Sequence, residues 1–564
     1  MDTVGGIKMT YKTQYNKWMN YPNLDNDVKN ELLSMDENQI KESFYMDIEF
    51  GTGGIRGLMG PGTNRMNVYT IMRSTLGFGQ YILSLNGTRK IAISYDNRHN
   101  SYVFAKRAAG VLAKLGIKVY ITKNLRPTPY LSFMTRHFGC DGGIMITASH
   151  NPKEYNGYKV YDKEGCQLVP DLANIVIDNI SNIHDFFEIA FDESSSLIEW
   201  IDESFDQIYL DKVRTIELEN IVNKPLKLVY SPLHGAGGTL IPNLLSGMGY
   251  QVFPLESQMT VDPDFSNTKS SNPEEPIAYE KSLEYAKDIN ADLILVTDPD
   301  ADRLGVMVKH KGKYQFLTGN QTASLTVHYV LSRRKAQNIL PDNGYVFLTN
   351  VTTPLIKKIA LGFGAQVVET LTGFKFIGEQ AKKIESTGVY LFGCEESYGS
   401  LISDFVRDKD AVQAVYMLAE MATYYNQFGK TLIDALNDVY AEYGFFVEET
   451  LNLNLKGIEG KEKIEAIMSH FRRYRLSIKN KELVQIDDCL LSTRWTKVET
   501  TSLDLPKSNV IKFYYRDGSW VVFRPSGTEP KLKIYISVKG ESKEDSLSII
   551  DNYKIIINGL VSQI

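Results

Sequence analysis

The chain has 564 residues, 43% of them hydrophobic and 23% charged, with a formal net charge of −6 at pH 7. At roughly 150 residues per domain, this length predicts about four domains with ordinary globular cores. A weakly acidic chain without an apolar run of membrane length or a secretory leader is predicted to be cytoplasmic, with neither nucleic acid nor membrane as a partner. The four cysteines form no CxxC pair, which argues against a disulfide framework or a structural zinc site.

Apolar strands and helical patterns alternate in the first third of the chain. Strands are predicted at 90–96, 117–122 and 142–147, and helices at 101–115 and 128–138. Strands and helices that alternate in this way form a parallel or mixed sheet covered by helices.

The same alternation recurs twice further along the chain. Each repeat ends in an apolar strand that runs into a polar loop, and ligands usually bind at the carboxyl ends of strands in open α/β sheets. The predicted strands are 227–231, 251–255, 292–297, 345–350, 366–371 and 389–393, and the helices are 276–289, 353–362 and 374–386.

The C-terminal part has a different pattern. Helical patterns over 410–443 are followed by a charged helix at 459–475 and by a hairpin around Asp517-Gly518, a typical turn pair. The fold class predicted is therefore α/β: three similar mixed α/β domains plus a smaller α+β C-terminal domain around one central cleft. The predicted domain boundaries are 1–205, 206–320, 321–445 and 446–564.

Ser149 follows the predicted strand 142–147 and precedes His150 and Pro152. Pro152 prevents simple continuation of the strand. A serine at a strand end beside a histidine is a candidate nucleophile. Serine and proline are equally typical of a plain polar turn, so both interpretations stay open. The sequence has no GxSxG nucleophile elbow, so a hydrolase triad is not indicated.

Asp298, Asp300 and Asp302 follow directly on the predicted strand 292–297. Carboxylates at i, i+2 and i+4 in one loop can converge on a hard cation such as Mg²⁺ or Ca²⁺. The loop lacks the glycine and glutamate of an EF-hand. The alternative is a solvated acidic turn, but three uncompensated acids would repel one another, so we favour a metal site.

Two segments have the composition of an anion site. Residues 524–531 (Arg-Pro-Ser-Gly-Thr-Glu-Pro-Lys) combine a guanidinium, two hydroxyls and a glycine that lets backbone amides turn toward a phosphate. Residues 51–57 (Gly-Thr-Gly-Gly-Ile-Arg-Gly) are similar, and both segments are also typical of surface turns. Neither is a nucleotide-binding P-loop. A nucleophile, a metal and two phosphate cradles together predict phosphoryl transfer that does not need ATP.

Two other strand ends carry polar segments. Asp96-Asn97-Arg98 is a candidate to line the same cleft. His234-Gly235-Ala236-Gly237-Gly238 has the glycines of an anion cradle at a helix start, but a tight strand-to-helix turn is the favoured interpretation.

Seven motifs, in order along nearly the whole chain, resemble those of the α-D-phosphohexomutase superfamily. Within it the chain is similar to the bacterial branch of the phosphoglucomutase/phosphomannomutase family. The motifs are GTGGIRG at 51–57, TASHNP at 147–152, NGYKVY at 156–161, DPDADR at 298–303, TGFKFIGE at 372–379, CEESYG at 394–399 and RPSGTEPK at 524–531.

The resemblance implies a role for each matching residue. Ser149 matches the phosphoserine, which exchanges its phosphoryl group with the sugar through a bisphosphorylated intermediate. The Mg²⁺ ligands are Asp298, Asp300 and Asp302, completed by a phosphate oxygen on Ser149. His150, Lys159 and Arg56 match residues beside the reacting groups. The substrate-binding residues implied are Arg303, Thr372, Gly373, Lys375, Glu395, Ser397, Lys409, Arg524, Ser526, Gly527 and Thr528.

The activity implied is an isomerase of the intramolecular phosphotransferase type, interconverting α-D-glucose 1-phosphate and glucose 6-phosphate. Its cofactors would be Mg²⁺ and glucose 1,6-bisphosphate, and its partners small-molecule sugar phosphates, with the protein a monomer or homodimer. One departure is Cys394, where the family's sugar loop usually has glycine. The alternatives are a phosphomannomutase, a phosphopentomutase, a sugar-bisphosphate synthase or a non-catalytic sensor.

Overall fold

The computed structural model describes residues 10–51, 53–185, 187–455, 457–526 and 531–564. The chain divides into two compact units. The first unit comprises Met1–Leu317, Phe374–Ser386 and Tyr398–Tyr424. The second comprises Thr318–Gly373, Thr387–Ser397 and Tyr425–Ile564.

The N-terminal part forms a six-stranded mixed sheet in the order β1-β5-β4-β2-β3-β6. Strand β5 is antiparallel to both β4 and β1, whereas β2 is parallel to β3 and β4. Fully buried Ile91, Ile93, Ile144 and Ile146 anchor the central strands. The elements are α1 (Tyr11–Met19), α2 (Asn26–Ser34), α3 (Glu37–Phe44), β1 (Gly54–Leu58), α4 (Val68–Ser84), β2 (Lys90–Tyr95), α5 (Ser101–Lys114), β3 (Lys118–Thr122), α6 (Thr128–His137), β4 (Gly142–Ile146), β5 (Tyr155–Asp162), α7 (Pro170–Ser181) and β6 (Ile198–Ile201).

A five-stranded sheet follows, in the order β11-β10-β9-β7-β8. Strand β7 is parallel to β8 and β9, and the β10–β11 hairpin extends the sheet antiparallel to β9. The helix predicted over 276–289 is wrong at its start, because Pro276 opens a 3₁₀ turn at Pro276–Tyr279 before α11. The elements are α8 (Ser204–Arg214), β7 (Lys227–Ser231), α9 (Gly237–Gly247), β8 (Gln251–Pro254), α10 (Glu256–Met259), α11 (Glu280–Asp288), β9 (Leu293–Thr297), β10 (Leu304–His310) and β11 (Lys313–Leu317).

In the next part, β12 pairs in parallel with both β13 and β14 inside the second unit. Gly429, with φ of +68°, separates the two helices that follow, and Thr431 begins the second of them with a capping box. The elements are α12 (Gly319–Ala336), β12 (Gly344–Thr349), α13 (Pro354–Gly362), β13 (Gln366–Thr370), α14 (Phe374–Ile384), β14 (Val389–Cys394), β15 (Ser400–Leu401), α15 (Ala411–Asn426) and α16 (Leu432–Tyr443).

The C-terminal part is a seven-stranded antiparallel sheet in the order β16-β22-β21-β20-β17-β18-β19. Its core packs α17 and α18 on one face of the sheet, with Phe513, Val521 and Ile536 fully buried. The predicted hairpin is confirmed, since Gly518 has φ of +91° in the turn that joins β20 to β21. The elements are β16 (Phe445–Asn454), α17 (Gly457–Tyr474), β17 (Leu483–Asp488), β18 (Thr493–Thr496), β19 (Thr500–Ser502), β20 (Ile511–Tyr515), β21 (Trp520–Pro525), β22 (Lys531–Gly540) and α18 (Lys543–Gln563).

The predicted fold class is confirmed as three mixed α/β parts and an α+β C-terminal part. Each predicted domain contains one sheet. The last sheet begins at Phe445, one residue before the predicted start of its domain. The domain boundaries themselves stay a prediction. All four cysteines are buried and free. Among the described helices, none has the length and apolar character needed to cross a membrane.

Candidate active site

Ser149 lies in a tight loop after β4, the buried strand that ends at Ile146. Its φ of 51° places it in the left-handed region, which a non-glycine residue adopts only when its surroundings enforce it. Its backbone N–H donates to Thr147 Oγ1 at 2.8 Å. The Ser149 hydroxyl is nearly buried, lies 3.1 Å from His150 Nδ1 and donates to Asp298 Oδ2 at 2.7 Å. The fold therefore holds this side chain against a histidine and a carboxylate.

The three aspartates form one buried cluster between the antiparallel strands β9 and β10. One carboxylate oxygen from each of Asp298, Asp300 and Asp302 lies within 4.8 Å of the others. Ala301, with φ of 49°, turns the loop back on itself. The Asp298 carboxylate accepts the backbone N–H groups of Asp302 and Arg303, both at 3.0 Å, which fixes the loop from inside.

Three cations approach this cluster. Lys159 Nζ lies 2.9 Å from Asp300 Oδ2 and 3.8 Å from Asp302 Oδ2. Lys409 Nζ lies 3.2 Å from the same oxygen of Asp302, and Arg303 Nε lies 3.7 Å from its other oxygen. The predicted grouping of these side chains in one place is thus present within the first unit.

Burial and charge separate the pKa values of the acids. Burial, with repulsion from Asp300 and Asp302, raises the pKa of Asp298 well above its ordinary value. Burial also opposes ionisation of Asp300. Attraction to Lys159 and hydrogen bonds, including that from Thr128, nevertheless hold the pKa of Asp300 below its ordinary value.

His150 is held neutral by its surroundings. Burial lowers the pKa of its imidazole well below the ordinary value, and the nearby positive charges of Arg303 and Arg56 lower it further. A neutral imidazole can accept a proton through one ring nitrogen while the other remains a donor. The geometry therefore places a neutral imidazole nitrogen 3.1 Å from Ser149 Oγ, as donor or acceptor according to the tautomer.

The donor set of the cluster fits a hard divalent cation. Asp300 Oδ1 and Asp302 Oδ1 are buried with no hydrogen-bond partner among the described residues. Buried carboxylate oxygens normally have hydrogen-bond partners, so two without them in one cluster are candidate ligands for a cation. An all-oxygen set suits Mg²⁺ or Ca²⁺ rather than zinc.

Arg56 reaches the site from β1, not from a flexible loop. The loop expected over 51–57 is a strand from residue 54 onward, whose backbone pairs with β5, while the anion-binding role of this segment stays a prediction. Gly54, with φ of +132°, permits this approach, since a Cβ there would lie 1.9 Å from the Tyr158 carbonyl oxygen. Arg56 Nη1 donates to Asn151 Oδ1 at 2.8 Å, next to the Ser149 loop.

Lys409 and Lys375 belong to the first unit. The Lys409 side chain occupies the space beside Gly399, where a Cβ would lie 2.1 Å from Lys409 Cδ. The Lys375 carbonyl lies 3.4 Å from Cys166 Sγ, and burial lowers the pKa of Lys375 to about 8. Lys409 Nζ lies beside Asp302, a contact that was not predicted, and the substrate roles of Lys409 and Lys375 both stay predictions.

The remaining predicted residues belong to the second unit. Glu395 Oε1 accepts the backbone N–H of Gly373 at 2.9 Å, which joins the predicted sugar loop to the TGFK segment. Arg524 Nη1 lies 3.3 Å from the Tyr535 hydroxyl. Thr372, Ser397 and Ser526 are partly exposed. Gly527 and Thr528 lie outside the described residues, so their predicted role in the phosphate loop stays a prediction.

Sequence reasoning missed Thr128. Its hydroxyl donates to Asp300 Oδ2 at 2.9 Å, and its backbone N–H donates to the Asp300 carbonyl at 2.9 Å. Its position after β3, at the first residue of α6, is the signal that could have found it. The favoured strand-to-helix turn around His234 is present, since β7 ends at Ser231 and α9 begins at Gly237.

Comparison with known proteins covers all four parts of the chain. Family models for phosphoglucomutase/phosphomannomutase match α/β/α domain I at residues 47–186, domain II at 207–312, domain III at 318–443 and the C-terminal domain at 474–547. A phosphoglucomutase of Staphylococcus haemolyticus is 37% identical over 91% of this chain and 94% of its own length.

Solved structures share the fold at lower identity. Parafusin, a phosphoglucomutase from Paramecium, aligns with a TM-score of 0.68 at 17% identity over 92% of this chain and 96% of its own. The N-acetylphosphoglucosamine mutase of Aspergillus fumigatus, solved in complex with GlcNAc-6P and magnesium, aligns with a TM-score of 0.51 at 14% identity over 92% and 96% of the two chains. The chain therefore belongs to the phosphoglucomutase/phosphomannomutase family and is a phosphohexomutase, an isomerase of the intramolecular phosphotransferase type.

Proposed function

We propose that this enzyme interconverts α-D-glucose 1-phosphate and glucose 6-phosphate, with Ser149 as the phosphoryl carrier and glucose 1,6-bisphosphate as the intermediate. The observation that carries the proposal is the nearly buried Ser149 hydroxyl, 2.7 Å from Asp298 and 3.1 Å from His150 in a cluster with three carboxylates. Relatives at 37% identity named phosphoglucomutase support glucose as the sugar.

The transfer conserves atoms and charge in each half-reaction. A sugar hydroxyl oxygen forms a bond to the phosphorus of phosphoserine while the bond from phosphorus to Ser149 Oγ breaks. The proton of the sugar hydroxyl passes to a basic group of the protein, and Ser149 Oγ regains a proton. In the second half-reaction Ser149 Oγ forms a bond to the other phosphorus of the bisphosphate while the bond from that phosphorus to the sugar oxygen breaks. The serine proton passes to a basic group of the protein, and the released sugar oxygen gains a proton.

His150 and Lys159 are the groups that we propose for proton and charge management. The neutral imidazole of His150 lies within reach of Ser149 Oγ and can hold or return its proton. Lys159, 2.9 Å from Asp300, and Arg56 are proposed to stabilise charge on the transferring group. Phosphoryl transfer depends mainly on such positioning and electrostatic stabilisation.

Asp298, Asp300 and Asp302 would hold Mg²⁺ together with an oxygen of the phosphorylated Ser149. When bound, the ion would neutralise phosphate charge and polarise the transferring group. The two orphaned carboxylate oxygens support this assignment. A neighbour solved with GlcNAc-6P and magnesium supports the capacity of the fold to hold both.

The remaining predicted residues are proposed to bind the sugar and its second phosphate. Glu395 would accept hydrogen bonds from ring hydroxyls, and Ser397 would donate or accept them. Thr372, Gly373 and Lys375 would bind the sugar beside them. The anionic end would be bound by cations and hydroxyls, which are suited to phosphate. This set comprises Arg524, Ser526, Gly527 and Thr528, while Lys409 would lie near the sugar or its second phosphate and Arg303 would contact the phosphoserine region. We propose that the partners are small-molecule sugar phosphates, with neither nucleic acid nor membrane among them. We also propose that glucose 1,6-bisphosphate acts as activator and that the protein acts in the cytoplasm as a monomer or homodimer.

Steady-state kinetics on three sugars test the proposal. We expect kcat/KM on glucose 1-phosphate to exceed that on mannose 1-phosphate and ribose 1-phosphate, and Ser149→Ala to lose essentially all turnover. A higher kcat/KM on mannose or ribose phosphate would overturn the sugar assignment. Net accumulation of sugar bisphosphate from another phosphoryl donor would indicate a synthase instead.

A further inference from the structure

Arg98 lies behind the Ser149 loop and bonds to four of its backbone carbonyls. It follows β2 at a strand end and is only 4% exposed. Its Nη2 donates to the Ser149 and Asn151 carbonyls at 2.6 and 2.5 Å. Its Nη1 donates to the Pro152 and Tyr155 carbonyls at 2.8 and 3.0 Å. One guanidinium therefore joins both ends of the 149–155 loop.

Neighbouring groups hold the guanidinium itself in place. Arg98 Nε lies 3.5 Å from Asp96 Oδ2. The other oxygen of Asp96 accepts the Arg98 backbone N–H at 3.1 Å and the Ser101 hydroxyl at 2.8 Å. The Phe265 ring lies 5.4 Å from the guanidinium carbon. Contacts outside the loop therefore hold the guanidinium in the orientation from which it donates to the loop carbonyls.

The loop needs such a support because its backbone is strained. A residue such as Ser149 with a positive φ is strained and persists only when its surroundings over-determine it. Hydrogen bonds from a charged donor are stronger than those between neutral groups. Arg98 makes four such bonds to the backbone that contains the strained turn.

We propose that Arg98 is a positioning residue for phosphoryl transfer, fixing the 149–155 backbone so that Ser149 Oγ stays aligned with Asp298 and His150. The inference rests on the proposed role of Ser149 as the phosphoryl carrier. Arg98 acts through the loop backbone and takes no part in bond formation. Lysine cannot replace it, because a single ammonium lacks the planar fork that reaches four carbonyls together.

The test measures a rate constant rather than activity alone. Purified full-length enzyme, first freed of phosphate on Ser149, is mixed with glucose 1,6-bisphosphate, and the rise in phosphorylated protein is followed by intact mass in a single turnover. A purely structural role would reduce the fraction of competent enzyme, and therefore the amplitude, without changing the rate constant. Misplacement of the loop would instead lower the rate constant of every molecule.

Arg98→Lys is compared with Arg126→Lys. Arg126 is a matched control, because it is 5% exposed in the same unit and makes a bidentate pair with Asp206 at 2.8 and 2.7 Å. We expect Arg98→Lys to lower the single-turnover rate constant about 100-fold, the loss that a displacement of about 1 Å can cause. Arg126→Lys should keep the wild-type rate constant in its folded fraction.

Two results would overturn the inference. One is an Arg98→Lys enzyme that phosphorylates at the wild-type rate, and the other is an equal loss of rate in Arg126→Lys. If Arg98→Lys does not fold, Asp96→Asn leaves the fork in place but removes its ion pair, and a wild-type rate constant there contradicts the proposal. If wild-type enzyme gains no phosphate, the proposed role of Ser149 fails, which is a different outcome from failure at Arg98 alone.

Discussion

At the scale of single residues, the candidate site works by placing opposite charges in a water-poor pocket. Asp298 and Asp300 are fully buried and Asp302 is 2% exposed, yet Lys159 and Lys409 approach them to 2.9 and 3.2 Å. Uncompensated buried charges are costly, so such a cluster is retained only with paired cations or a bound metal. The acids and the lysines therefore depend on one another.

Asp300→Asn is expected to weaken Mg²⁺ binding by at least about tenfold. The change removes a charged oxygen that has no hydrogen-bond partner in the cluster and is free to bind a cation. Calorimetric titration of the metal-free enzyme with Mg²⁺ measures the effect without relying on turnover. Asp178→Asn on α7 is the control and should bind as the wild type does. Equal affinity in both variants would contradict the metal assignment.

Arg524→Ala is expected to raise KM for glucose 1-phosphate about tenfold or more. Loss of a charge-assisted contact to phosphate costs roughly 1.5–3 kcal/mol of binding. Steady-state kinetics check the change, with Arg516→Ala as control, since Arg516 is exposed and pairs with Glu482. An Arg524→Ala enzyme with only a slightly raised KM would show that Arg524 does not grip the phosphate.

At the scale of elements, the predicted buried strands agree with the structure to within one or two residues, as at Lys227–Ser231 and Leu293–Thr297. Their apolar runs are dictated by burial on both faces, which a sequence displays directly. Strands β1 and β5 were not predicted, because glycine and polar or charged residues interrupt their apolar positions and because their pairing with each other defines them. The β10–β11 hairpin was also missed, because its two strands are defined by their antiparallel pairing with each other.

Gly54→Ala is expected to lower kcat at least tenfold by displacing β1 and, with it, Arg56. The new Cβ would collide with the Tyr158 carbonyl. Gly116→Ala is the matched control, since Gly116 also has a positive φ, +78°, but has open space around it. Both variants should lose stability from backbone strain, and only Gly54→Ala should lose kcat in its folded fraction. Similar kcat values for the two would contradict the role of β1 in placing Arg56.

Lys512 on β20 gives the C-terminal sheet a pH-dependent contribution to stability. Its ammonium donates to the Asn350 carbonyl at 2.6 Å and lies 4.6 Å from the Trp520 ring centre, and burial lowers its pKa from 10.5 to about 8. Between pH 8 and 10.5 the unfolded chain therefore binds more protons than the folded one. Over this range the stability conferred by Lys512 rises with pH.

Lys512→Met should consequently lose stability relative to the wild type as the pH increases from 7.5 to 9.5. Thermal unfolding of both proteins at several pH values measures this difference in Tm. Lys479→Met, at an exposed lysine in the same part of the chain, should show a difference that does not vary with pH. If the difference in Tm between Lys512→Met and the wild type did not change with pH, burial would not lower the pKa of Lys512.

At the scale of the whole molecule, the sequence motifs predicted the family and its class of reaction, but they did not predict which distant side chains contact one another. The pairing of Ser149 with Asp298, across 149 residues, follows from two strand ends in adjacent parts of the first unit. By contrast, the hydrogen bond of Thr128 to Asp300 and that of Arg98 to the Ser149 carbonyl depend on how segments far apart in the chain pack together. Local sequence does not encode this packing. The boundaries of the four domains and the roles of the site residues stay predictions, while the family is shown by matches along most of the chain.

The most direct test of the central claim is the intact mass of the purified enzyme before and after addition of glucose 1,6-bisphosphate. We predict that enzyme lacking phosphate gains the mass of one phosphoryl group, that the group maps to Ser149, and that Ser149→Ala gains nothing. A wild-type enzyme that turns over glucose 1-phosphate without acquiring this mass, or a Ser149→Ala enzyme that acquires it, would contradict the account.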